Sequence, residues 1–509
     1  MLCVARSQMI ESFPSRRTVV VGLAGVLGTA ACGNAGTRAL ANTETPTMTQ
    51  GARRKADPTG SRRGLSLSHF GIDRFAKRDQ WAQLKNAFTA AHEERFDLFA
   101  DTDANYRHDG PLKLDGVSFN GQGCTFTALS DGPQVLVCLG DGWRLLNLRL
   151  LGAARARTAN PGSIGVLIGD GKANPATQFT IENVAVGAVG TGYGVGGAGF
   201  LFDNASRGRI VRVVVRDSLA DGIHITNGSR ELVFESPLSE RTGDDGFAVV
   251  SYRNQGQVCR DIRVSNGISR DSAARGFSVV GGKNVIYTRP LVERSSAAGA
   301  YLYGEGSYDT FGVSGCNLIA PTLRACVTGR NRDPGFSNAA IIIGGRDGSD
   351  FVDGATLLRG AADCMVTDPT VEGAGAACWA GISTHEYAIR PKITGGVLTD
   401  LTPTSGSFRP NGVEIGGQDV VIDRIRMNNV AGIPIVVTRT ASGNCRIDHT
   451  VVTRGLTRPG PIRSFIYADP APKLHQAIVS NGVFSGIPDR LALGKLGKGG
   501  LILSNNQIR

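Results

Sequence analysis

A glycine followed by an apolar residue recurs through the middle of the chain, at Gly199-Phe200, Gly222-Ile223, Gly246-Phe247, Gly276-Phe277 and Gly299-Ala300. Successive glycines stand 23, 24, 30 and 23 residues apart. Between them run short alternating segments: I-V-R-V-V-V-R at 210–216, R-D-I-R-V at 260–264 and K-N-V-I-Y at 283–287. Alternation of apolar and polar residues marks a half-buried strand. Two or three such strands per repeat, with a period in the low twenties, mark a parallel β-helix. Coils of that kind stack about 4.8 Å apart, so residues one period apart line up in rows. Leucine-rich repeats share the period but need a leucine consensus that is missing here.

Composition agrees with many short strands joined by tight turns. Glycine supplies 69 of 509 residues and aromatics only 6%. A G-X-Y period is absent, which excludes collagen. The pattern continues less regularly through I-I-I-G-G (341–345), A-G-I-S-T-H-E (380–386), N-G-V-E-I-G-G-Q-D-V-V-I (411–422) and L-I-L-S-N-N-Q-I (501–508). The expectation is an all-β chain with one β-helix over 131–509. An open strand stack exposes core and unpaired backbone at its end, so it needs a cap. Trp81, Leu84, Phe88 and Ala91 fall at helical spacing after Asp79, a suitable N-cap. A short N-terminal capping helix with the first coils is therefore expected over 66–130.

The leader points to export. Arg16-Arg17 precede an apolar run that ends at Cys32. The run is shorter than the ~20 residues of a membrane span, and its flanks suit an export signal over 1–41. S-R-R resembles a twin-arginine signal. Two exits are open. T-A-A-C resembles a relaxed lipobox, which would make Cys32 a lipidated, membrane-anchored N-terminus. A-L-A at 39–41 resembles an ordinary cleavage site, which would release a soluble chain. Either route puts the mature chain outside the cytoplasm of a bacterial cell: periplasmic, secreted or lipid-anchored. Residues 42–65 read as a flexible tether.

The net charge of +11 fits a basic leader and surface, or attraction to an acidic polymer. Recognition helices, zinc-finger spacings and basic-aromatic platforms are missing, so nucleic acid is not an expected partner. The ten cysteines show no C-x-x-C pair. Cys3 and Cys32 lie in the leader. The other eight suit buried small hydrophobes or, in an exported chain, one or two disulfides.

Chemistry concentrates in two repeats. Asp221 precedes one strand, and Asp244 and Asp245 precede the next, 23 and 24 residues on. In a stacked solenoid these three acids crowd on one face. Sugar-bond cleavage needs one acid to protonate the leaving oxygen and one base to activate water. Crowded carboxylates cannot all ionise easily, which supplies the acid. D-G and G-D-D-G are also good turns at any coil corner. His224 follows Asp221 by three, so strand alternation turns it to the opposite face. Arg275 lies one coil beyond the pair. A-Y-L-Y-G-E-G-S-Y-D then offers Tyr301, Tyr303, Glu305 and Tyr308 for sugar stacking and hydrogen bonding. His385-Glu386 lacks H-E-x-x-H, and no metal site is expected there.

D-G-I-H-I-T-N-G-S-R-E-L-V-F-E followed by T-G-D-D-G-F-A-V resembles the core of the polygalacturonase family, within the right-handed parallel β-helix (pectate-lyase-like) superfamily. In that family an N-T-D-G-hydrophobic-H/D-hydrophobic motif is followed one coil on by G-D-D. The resemblance covers roughly residues 199–299. It implies a right-handed β-helix, Asp244 as general acid, Asp221 and Asp245 holding the attacking water, inversion at the sugar carbon, and no cofactor. The chain departs from the family at Leu219-Ala220, where Asn-Thr stands, and at Arg275, where a histidine stands. The R-I-K motif that grips a uronate carboxylate is also missing. These departures point away from pectin itself and leave Arg275, His224, Tyr303 and Glu305 as the expected substrate contacts on a polysaccharide. Two other readings stand beside this one. A β-helix lyase or epimerase on a uronate polymer would use Arg275 and Lys283, with Ca²⁺ on the aspartates. A non-catalytic envelope solenoid would bind glycans without cleaving them.

Overall fold

The recurring glycines sit where neighbouring coils come closest. In the computed structural model, a Cβ on Gly222 would lie 2.5 Å from the carbonyl oxygen of Gly246, and would also meet Ser239 Oγ. On Gly246 it would lie 2.8 Å from the Gly276 oxygen, and on Gly276 2.6 Å from the Gly299 oxygen. Only hydrogen fits, so the glycine period of the sequence is the contact line between coils.

Around that line the strands pair in parallel, each with its equivalent one coil later. Three faces result. The first face carries Phe200–Asp203, Ile223–Thr226, Phe247–Val250, Phe277–Val280, Ala300–Gly304, Ala339–Gly345, Ala380–Thr384 and Asn411–Gln418. The second runs through Arg230–Glu235, Arg260–Ser265 and Gly282–Thr288. The third runs through Val214–Arg216, Leu238–Glu240, Ile268–Arg270 and Leu291–Glu293. This is an all-β, parallel β-helix solenoid. The description covers residues 63–508, apart from 131–135, 159–161, 189–191, 193, 330–337, 346–349, 354–355, 403–408, 456–463, 472, 487–489 and 495–499. They belong to one compact unit, Ser61–Arg509. The export signal, Cys3, Cys32 and most of the tether lie outside the described residues.

Alternation decides what enters the core. Phe200, Ile223, Phe247 and Phe277 stack inward on the first face, and all are buried. Six of the aromatics form one internal column: Trp143 on Phe179, then Phe202, Phe234, Phe247 and Phe277, with centroids 4.8–6.3 Å apart. Such pairs add stabilisation beyond their buried area. Single residues in the left-handed region bend the chain between the second and third faces: Arg212, Ser236, Asn266 and Arg289, with φ of 51–54°. On the outside of the third face, Arg216, Glu240, Arg270, Glu293, Arg324 and Glu372 stand in register, so opposite charges alternate. Four of the five neighbouring pairs in that row meet at 2.7–3.5 Å.

The helix Trp81–Glu94 packs Leu84, Ala87, Phe88 and Ala91 against the first coils, with Phe88 edge-on to Phe119. Asp79 accepts from the Trp81 and Asp109 N–H groups at 2.9 and 3.1 Å. Gly64 and Leu65, assigned to the tether from sequence, already pair with Asp97 and Leu98 as a strand. The eight described cysteines are buried and free, not disulfide-bonded.

Replacing Gly222 by alanine should lower stability by about 1–3 kcal/mol, because the added methyl meets backbone that cannot rotate away. A urea unfolding midpoint unchanged from wild type would contradict this contact.

Candidate functional site

The residue before each glycine points outward, and these residues form a row along the first face. The row reads Ala198, Asp221, Asp245, Arg275 and Ala298, as the ladder bonds at the adjoining glycines require, and the strand register continues it through Ala339, which precedes an alanine, to Ala380 and Asn411. Asp221 and Asp245 are thus one coil apart and in line. Each carboxylate is fixed by the coil that follows. Asp221 Oδ1 accepts the Asp245 N–H at 3.0 Å, and Asp245 Oδ1 accepts the Arg275 N–H at 2.8 Å. Asp245 Oδ2 accepts from Ser278 Oγ at 2.6 Å. Asp244 lies beside them in the turn, its backbone carbonyl taking bonds from Thr242 Oγ1 and the Ala274 N–H.

One oxygen from each of Asp221, Asp244 and Asp245 lies within 4.8 Å of one from each of the others. Their side chains are 14%, 32% and 5% exposed, so Asp244 is the most open. Burial raises the Asp244 pKa, and the charge of Asp221 adds to this, while Arg157 and Arg275 oppose it. Asp245 is pushed up to about 7, chiefly by burial and further by the other two aspartates, against the pull of Arg275. The same two charges, after burial, raise the Tyr252 pKa.

Two arginines flank the acids. Arg275 Nη2 bonds Glu305 Oε1 at 2.6 Å, and its Nη1 stands 3.7 Å from Asp245. Its guanidinium also lies 4.4 Å over the Tyr301 ring. Burial works against its charge, but Asp245 and Glu305 outweigh it and raise its pKa. Arg157 reaches Asp244 Oδ2 at 2.5 Å from a loop between coils. That loop is moored by Thr158 N–H to Gly196 O at 2.9 Å. On the other side, the excursions around Tyr252 and Thr310 join through an antiparallel bridge, and the Arg253 N–H reaches Asp309 O at 2.9 Å. They bring Tyr252 and the exposed Tyr308 near the acids.

Several expected residues take other positions. Asp221 precedes the strand and folds back over it, so its Oδ2 meets His224 Nδ1 at 2.6 Å. Alternation had turned His224 away; its ring instead lies outward and buried, braced against Asp221. Tyr301, Tyr303 and Glu305 are buried rather than open to a groove. The two tyrosines stack at 4.6 Å, and Tyr301 Oη donates to Glu305 at 2.8 Å. His385 Nδ1 lies 3.3 Å from Tyr303 Oη, and burial lowers its pKa to about 4. Lys283 lies on the second face, away from the aspartates. Sequence reasoning missed Arg157. A-A-R-A-R-T at 153–158 carries no motif, and only the fold brings it across several coils. Ser278 was legible in principle, since it follows Arg275 by three as His224 follows Asp221.

Among the described residues two groups have metal-ligand spacing, these aspartates and Asp423, Asp448 and His449. Guanidinium groups occupy both. Arg157 and Arg275 flank the first, while Arg424 and Arg446 pair with Asp423 and Asp448 at 2.6 and 2.5 Å. A divalent cation would have to displace them.

Comparison with protein families agrees with this architecture. A family model described as a right handed beta helix region matches residues 143–318. No curated protein matches the sequence. Among solved structures, the catalytic unit of a GH87 alpha-1,3-glucanase from Streptomyces thermodiastaticus is 14% identical, covering 90% of this chain and 70% of its own, at TM-score 0.48. The A-module of the Azotobacter vinelandii mannuronan C-5 epimerase AlgE6 is 12% identical, with coverages of 87% and 99% and TM-score 0.48. The Streptococcus pneumoniae surface protein and adhesin PfbA is 11% identical, with coverages of 87% and 97% and TM-score 0.47.

The raised Asp245 pKa has a stability consequence. The folded chain keeps this proton up to about pH 7, whereas the unfolded chain releases it near the ordinary carboxylate value of 3.8. Between those values the folded state binds more protons, so stability is greatest below the window and is lost as pH rises through it. Asp245→Asn should flatten that decline. Urea midpoints measured from about pH 4 to 7 that fall equally in variant and wild type would contradict the assignment.

Proposed function

We propose that the chain is an exported polysaccharide hydrolase, with Asp244 as the general acid and Asp221 and Asp245 holding the attacking water. The observation that carries this reading is the meeting of three carboxylates from two adjacent coils at the outward face. Crowding and burial keep them from ionising together, so a proton is available near neutral pH. Asp244 is the most exposed and has the easiest reach to a leaving oxygen. Asp221, braced by His224 and by the Asp245 N–H, has the fixed orientation a base needs.

Three features favour an acidic polymer as substrate: Arg157, Arg275 and the net charge of +11. The Arg16-Arg17 leader supports export, followed by cleavage or by lipidation at Cys32. Attack by an activated water while Asp244 protonates the leaving oxygen is a single displacement, so hydrolysis is proposed with inversion at the sugar carbon, as the polygalacturonase resemblance implies.

Reducing-end release from a panel of acidic and neutral polysaccharides tests the assignment. Asp244→Asn and Asp221→Asn should each lower turnover about 10²–10⁴-fold with the circular dichroism of the fold intact. Full turnover in the Asp244→Asn protein would remove Asp244 from the chemistry.

A further inference from the structure

Arg157 is bound to the acid that has to give up a proton. An ion pair favours the charged form of its carboxyl partner, so Asp244 is a poor proton donor while the pair holds. The groups around it divide in sign: burial and Asp221 disfavour its ionisation, Arg157 and Arg275 favour it. Tyr252, its pKa raised by burial and then by the acids, faces them from the excursion beyond the strand. Tyr308 faces Arg157 from the other excursion.

The two arginines are not equally movable. Arg275 is 20% exposed and clamped by Glu305, Tyr301 and Asp245. Arg157 is 56% exposed and arrives on a loop, and its described ion pair is with Asp244 alone. An ion pair that open to water is weak and separates readily. What competes for a guanidinium is another anion, best of all a carboxylate that can take it in bidentate fashion. A neutral sugar has no charge with which to compete.

We propose that Arg157 is a specificity-determining residue, drawn off Asp244 by an acidic group of the substrate sugar so that Asp244 can take up a proton. The proton comes from solvent, and no bond to carbon changes in this step. Acidic polymers thereby arm the acid that acts on them, while neutral ones leave it paired. The inference rests on the polysaccharide reading of the site given above.

Calorimetric binding to the full chain separates the two claims. The probes are polygalacturonate, alginate and hyaluronate, with fully methyl-esterified polygalacturonate and pullulan as neutral partners. An Asp221→Asn background slows turnover about 10²–10⁴-fold, and two buffers of different ionisation enthalpy report proton uptake. At least one acidic polymer should bind with uptake of about one proton near pH 6. Adding Arg157→Gln should abolish the uptake and weaken binding about tenfold, and Arg157→Lys should restore part of both. Binding of neutral polymers as tight as acidic ones, binding of none of the acidic probes, or proton uptake unchanged without Arg157 would each overturn the inference. Cleavage of a neutral glycan with Arg157→Gln as active as wild type would overturn it too, yet leave the hydrolase reading standing. Arg157-dependent binding and proton uptake with no cleavage of any probe would do the reverse.

Discussion

Constant register between parallel strands is the constraint on which the rest of the molecule depends. Each coil offers its backbone N–H and C=O groups to the next, and a slip of one residue would turn every inward side chain outward. The bonds from Gly222 N–H to Asp245 O and from Gly246 N–H to Arg275 O hold that register at the site. The glycine line lets the coils approach, and the aromatic column fills the space inside. Outside, the alternating Arg/Glu row penalises misalignment, since a shift would set like charges opposite one another.

The same register makes the site. Two aspartates in equivalent positions of successive coils come as near each other as the strand spacing allows, and the turn adds a third. Their proximity is costly, and the surrounding residues divide the burden. Asp245 is buried with Ser278 and Arg275, Asp221 is tied to His224, and Asp244 faces outward under Arg157. Three chemically identical groups thus sit in three different environments, and environment is how carboxylates come to serve as acid and base.

Much of this was legible in the sequence because it repeats. The period, the alternation and the in-register spacing of Asp221 and Asp245 follow from one-dimensional patterns. What was not legible depends on departures from the repeat. His224 meets Asp221 because the aspartate sits in the turn, where strand alternation does not hold. Tyr303 and Glu305 are covered by excursions whose course no period predicts. Arg157 comes from a loop several coils away, with no motif to mark it. The cysteines were legible as small core residues, and the eight described ones are buried and free.

Difference infrared spectroscopy on the carboxyl groups tests the central claim most directly, because it reads protonation without substrate. If coil register crowds the three acids, a protonated carboxyl band persists near pH 6 in the wild-type chain and is lost when Asp245 is replaced by asparagine. Full ionisation of every carboxyl at that pH would contradict the account.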